Sequence, residues 1–125
     1  MRPKVLLYHL DADTELGRAL RAVLAEQKLP VLTVRDEQTG ETAGRLAAAN
    51  AAVHSASAPE HPPQEAFMLL CDLGSRQLDR LLAAMRRAGT AVPYKAVLTE
   101  YNRNWTLAAL IEAVVREHEA LQNKA

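Results

Sequence analysis

Residues 67–71 read Phe67-Met68-Leu69-Leu70-Cys71, and residues 5–8 read Val5-Leu6-Leu7-Tyr8. Both stretches are apolar at successive positions instead of alternating, which is the pattern of strands covered on two faces and therefore central in a sheet. Outward from the first of these, Asp11-Ala12-Asp13-Thr14 opens a helix. Its Leu16, Ala19, Leu20, Val23 and Leu24 recur at the spacing of one buried stripe, and Pro30 ends it. Val31-Leu32-Thr33-Val34 reads as a second strand, and a weaker, alanine-rich helix runs from Glu41 to Ala49. Outward from Cys71 the same order returns. Ser75 is the expected cap of a helix that carries Leu78, Leu81, Leu82 and Met85 on one face and closes at Gly89. Tyr94 to Thr99 reads as the fourth strand, and Asn104 as the cap of a last helix with Leu107, Leu110, Ile111, Val114, Val115, His118 and Leu121 at helical spacing.

The alternation βαβαβαβα predicts an α/β domain over residues 1–125: a three-layer, mainly parallel four-stranded sheet of order 2-1-3-4, like flavodoxin or receiver domains. The alternative is a ferredoxin-like α+β sandwich of two βαβ halves with extra helices, of order 4-1-3-2. Both put strands one and three in the centre. Residues 4–49 and 66–122 read as pseudo-repeat halves, with Val5-Leu6-Leu7-Tyr8 laid over Phe67-Met68-Leu69-Leu70 and Val31-Leu32-Thr33 over Val97-Leu98-Thr99. Between them, residues 50–64 are rich in Ala, Ser, His and Pro and read as a mobile loop, because Pro59, Pro62 and Pro63 lack backbone donors.

The second half carries a resemblance. Leu78-Asp79-Arg80-Leu81-Leu82, Lys95-Ala96-Val97-Leu98-Thr99, Asn102-Arg103-Asn104-Trp105-Thr106-Leu107 and Glu117-His118-Glu119-Ala120 make residues 67–121 similar to the bacterial family known as domain of unknown function 3783. More weakly, residues 36–46 look like the short helix that precedes that domain in longer members. Two departures are Cys71-Asp72-Leu73-Gly74 in place of a small glycine-containing turn, and Glu100 in place of Pro after Thr99. The resemblance implies no reaction.

Fifteen Lys and Arg balance fifteen Asp and Glu, so the net charge is zero, which argues against nucleic acid as a partner. The first ten residues hold too few apolar side chains for a signal-peptide core or a span, and the lone Cys71 suits a reducing compartment; a cytoplasmic protein without membrane contact is expected.

Four groups of residues could carry chemistry. In a parallel sheet the carboxyl ends of strands one, three and four would bring Asp11, Asp13, Asp72 and Thr99 to one acidic edge, as in a receiver domain; the competing reading makes Asp11 or Asp13 a helix cap and Asp72 a turn residue. Asn102, Asn104 and Trp105 form a turn that either binds a polar ligand or peptide, or only shapes the chain. Lys95 would be a base if buried, or an edge guard if exposed. Cys71 and His118 read as packed residues, and neither metal nor other cofactor is expected. The leading expectation is a non-catalytic module that binds a protein or small-molecule partner through Thr99, Asn102, Asn104, Trp105 and Lys95, as monomer or homodimer. The alternative is a cation- or phosphate-dependent site at the acidic edge.

Overall fold

The computed structural model describes residues 2–49 and 59–123; most of the predicted 50–64 loop lies outside them. The sheet has the order β2-β1-β3-β4, built from β1 (Lys4–Tyr8), β2 (Val31–Val34), β3 (Phe67–Cys71) and β4 (Lys95–Val97). This is the expected order, and the two apolar strands are central. β1 pairs with β2 and β3 with β4 in parallel, but β1 and β3 run antiparallel, from Lys4 opposite Cys71 to Tyr8 opposite Phe67. The sheet is thus mixed and mostly parallel, and the order 4-1-3-2 is not adopted.

Helices cover both faces. The even-numbered positions of β1, Leu6 and Tyr8, and the odd-numbered positions of β3, Phe67, Leu69 and Cys71, point to one face. There they pack against α2 (Ala43–Ala48) and α4 (Leu107–Asn123) through Leu46, Leu107, Leu110 and Ile111. Val5, Leu7, Met68 and Leu70 point to the other face, onto Leu20, Val23 and Leu24 of α1 (Glu15–Glu26) and Leu81, Ala84 and Met85 of α3 (Ser75–Ala88). Period-two alternation thus splits one sheet into two apolar cores.

The helix ends differ from the sequence reading. Thr14, not Asp11 or Asp13, caps α1 by accepting from Gly17 N. Gly74 precedes α3 with no side-chain cap, so Ser75 is the first helical residue. Thr106, not Asn104, caps α4, its Oγ1 accepting from Ala109 N. The two threonines lie where the backbone is extended just before the first helical turn, which is where a short hydroxyl reaches the orphan N–H groups. The weaker helix shortens to Ala43–Ala48 behind its own cap, Thr42, and the fourth strand shortens to three residues.

The two halves correspond element by element. β1 maps onto β3 with Lys4 on Phe67, which keeps each side chain on its own face; the sequence overlay, which put Val5 on Phe67, is one residue out and would exchange the two cores. Leu20, Val23 and Leu24 of α1 take the places of Leu81, Ala84 and Met85 of α3. Both helices end in the same way: Lys28 N donates to Ala25 O and Leu29 N to Leu24 O, as Gly89 N does to Arg86 O and Thr90 N to Met85 O. Lys28 and Gly89 are both left-handed, with φ of 58° and 68°.

Candidate functional site

Because β1 and β3 are antiparallel, the carboxyl ends of β1 and β2 reach one edge of the sheet and those of β3 and β4 the opposite edge. Asp11 and Asp13 therefore lie across the sheet from Asp72 and Thr99, and the single acidic edge is not formed. A five-residue strand separates the two ends by roughly 13 Å. Among the described residues no three His, Cys, Asp or Glu side chains are placed to hold a metal ion.

At the first edge, His9, Asp11, Val34, Arg35, Asp36 and neighbours line a hollow of about 430 Å³. His9 follows β1 with φ 56°, and this turn folds its ring back over Tyr8, centroids 4.0 Å apart. Histidine tolerates the left-handed region better than bulky residues do. The imidazole Nε2 lies 2.5 Å from Asp36 Oδ1 and Nδ1 lies 3.0 Å from the Gln64 carbonyl. Both partners are acceptors, so only the imidazolium, a donor at each nitrogen, satisfies both. Partial burial draws the His9 pKa down, but the Asp36 and Gln64 hydrogen bonds and the charges of Asp36 and Asp11 outweigh it and leave the pKa above its ordinary value. The hydrogen bond from His9 in turn holds the Asp36 carboxyl below its ordinary range, against some desolvation. The Tyr8 hydroxyl lies 2.9 Å from Asp36 Oδ1 and 2.5 Å from the Pro63 carbonyl, and burial beside that carboxylate raises its pKa. Sequence reading does not single out this contact, since 27 positions separate His9 from Asp36 and only the pairing of β1 with β2 joins them.

At the second edge, Asp72, Leu98, Thr99, Glu100 and Arg103 line a hollow of about 590 Å³. Asp72 occupies the position of His9 and is left-handed as well, with φ 60°, while Glu100 occupies that of Asp36. Asn102 is spent on its own turn: its Oδ1 accepts from Thr99 N at 2.8 Å and its Nδ2 donates to Val97 O at 3.0 Å. The Thr99 hydroxyl accepts from the N–H groups of Tyr101 and Asn102. The turn presents two aromatic side chains outward, beside the exposed Glu100, Arg103 and Asn104. Tyr101 is 88% exposed and Trp105 45%, with Val97 of the neighbouring edge strand 43% exposed. Asn104 is exposed and caps nothing.

Lys95 is exposed on β4, donating to Val92 O, as an edge guard would be. Cys71 is fully buried, and desolvation pushes its thiol up to about 12, which removes it as a nucleophile near neutrality. His118 stands edge-on to the ring of Tyr94, centroids 5.2 Å apart.

The first half holds a comparable turn. Arg35 N donates to Gln38 Oε1 at 2.7 Å as Thr99 N donates to Asn102 Oδ1, and Glu41 N donates to Gln38 O as Trp105 N donates to Asn102 O. At the positions of Tyr101 and Trp105 this turn carries Glu37 and Glu41, the latter buried and 3.3 Å from Arg45 Nη1.

No helix among the described residues is long and apolar enough to cross a membrane. Neither the curated proteins nor the solved structures contain a match to the chain. The weaker likeness at residues 36–46 falls outside what the family model matches. The segment from just before β3 to near the end of α4, residues 66–121, matches the model of the family described as Domain of unknown function (DUF3783), and so holds the aromatic turn and the second hollow.

Proposed function

We propose that the chain is a protein-binding module that engages its partner through Tyr101 and Trp105, a non-catalytic role. The observation that supports this is the contrast between the two equivalent turns. Both keep the amide that shapes the backbone, Gln38 or Asn102, so that amide is architectural in either place. Only the second turn adds large aromatic side chains, and it leaves them exposed. Tyrosine and tryptophan supply broad contact area with few rotamers to freeze, and a turn locked by its own hydrogen bonds presents them with little further ordering cost.

The test is site-specific photo-crosslinking in the native cell, with the photoreactive residue at position 101 and, as control, at Arg80 on α3. A discrete adduct from position 101, absent from position 80 and lost on Trp105→Ala, is the expected result. Equal labelling from both positions, or no discrete adduct from position 101, would overturn the reading.

A further inference from the structure

We infer that residues 4–49 and 66–122 are two copies of one βαβα unit, and that the surface on which they meet is self-complementary and accepts a second copy of this chain. General rules of chain crossover make two βαβ units alike in handedness. They do not dictate the details that recur here, which are the paired left-handed helix ends at Lys28 and Gly89, the Gln38 and Asn102 turn bonds, and the threonine caps at Thr42 and Thr106.

The contact between the halves is reciprocal. Ala43 N donates to Trp105 O at 2.9 Å, and Leu107 N to Glu41 O at 2.9 Å; Gly44 N donates to Arg103 O at 2.8 Å, and Ala108 N to Thr39 O at 2.9 Å. Adding 64 to either residue of the first half gives its counterpart in the second, so each bond is the other's image. On the axis between them Thr42 bridges its own counterpart, Thr106, and in the sheet Leu6 faces its own counterpart, Leu69. This is the geometry of an isologous two-fold interface, drawn within one chain.

Such an interface makes the same bonds whether its halves come from one chain or from two. The connection between them decides, because a short tether raises the effective concentration of the tethered partner to the millimolar range. The ends it must join are far apart: the Ala49 carbonyl accepts from Lys4 Nζ at one end of β1, and the Pro63 carbonyl lies by Tyr8 at the other. Deleting residues 50–60 leaves His61 and Pro62 between them, a reach of roughly 11 Å. That is short of the roughly 13 Å length of β1.

The deleted chain is expected to sediment as a dimer with the far-ultraviolet circular dichroism of the parent; a folded monomer would overturn the inference. Should the deletion prevent folding, the unaltered chain is refolded from urea at rising concentration and sized. A dimer fraction that grows with concentration and keeps the native dichroism is expected, and monomer alone at every concentration overturns the inference.

Discussion

Gln38 and Asn102 make the same hydrogen bond in two places: each side-chain oxygen accepts from the backbone N–H three residues earlier, at 2.7 Å from Arg35 and 2.8 Å from Thr99. One turn thus serves as the internal control for the other, separating what holds the backbone from what faces outward.

Asn102→Ala removes the Thr99 and Val97 bonds together and is expected to cost about 1–2 kcal/mol, read as a lower urea midpoint with unchanged slope. Tyr101→Ala, at an exposed site, should stay within roughly 0.5 kcal/mol of the parent. A reversed order of these two costs would show that the turn is held by its aromatics.

The glycines should divide sharply. A Cβ at Gly17 would lie 1.9 Å from the Asp11 carbonyl oxygen and one at Gly44 2.9 Å from that of Arg103. Gly17→Ala is therefore expected to destabilise by several kcal/mol and Gly44→Ala by about 1–3 kcal/mol. Gly74, with extended backbone and nothing near its missing Cβ, should gain a few tenths of a kcal/mol as Gly74→Ser by supplying the absent cap of α3. Thermal melts of the three variants check the ranking.

The His9 and Asp36 pair sets a pH dependence whose sign follows from the two shifts. The His9 pKa is raised, so its contribution is complete below about 6.5, its unfolded value, and fades as pH rises through the folded value. The Asp36 pKa is lowered, so its contribution is present above about 3.9, its unfolded value, and fades as pH falls through the folded one. The stability difference between the parent and Asp36→Asn should peak between those limits, and at half-exposed sites it should be no more than about 1 kcal/mol. In the variant, a nuclear magnetic resonance titration of His9 should show its midpoint moving down; an unmoved midpoint would contradict the geometry.

Cys71 should resist thiol reagents in the native state and react at the rate at which the chain opens, because the thiol is fully buried and titrates near 12. Fast stoichiometric labelling without denaturant would show the site to be accessible.

The strand order was legible because two unbroken apolar runs, Val5 to Tyr8 and Phe67 to Cys71, have nowhere to go but the centre. Their relative direction was not legible. A run apolar on both faces reads the same whichever way the strand points, and the direction follows from where the chain re-enters the sheet, with Pro63 beside Tyr8 at the far end of β1 from Ala49. The consequence for the site was large, since it moved Asp72 and Thr99 to the edge opposite Asp11 and Asp13. Caps were read one to three residues off because Asp13, Ser75 and Asn104 are good capping types that happen to lie beside the residues whose backbone is extended, Thr14, Gly74 and Thr106. The Asn102 turn was legible from its residue types, whereas the His9 to Asp36 contact exists only once β1 and β2 are side by side.

The outer strands have a bearing on colloidal behaviour. β4 is three residues long and carries Lys95, two features that discourage another chain from pairing with it. β2 has neither protection: Val31, Leu32, Thr33 and Val34 are uncharged, and no strand among the described residues pairs with their outer side. In a weakened variant β2 is therefore the edge along which another chain would be expected to add.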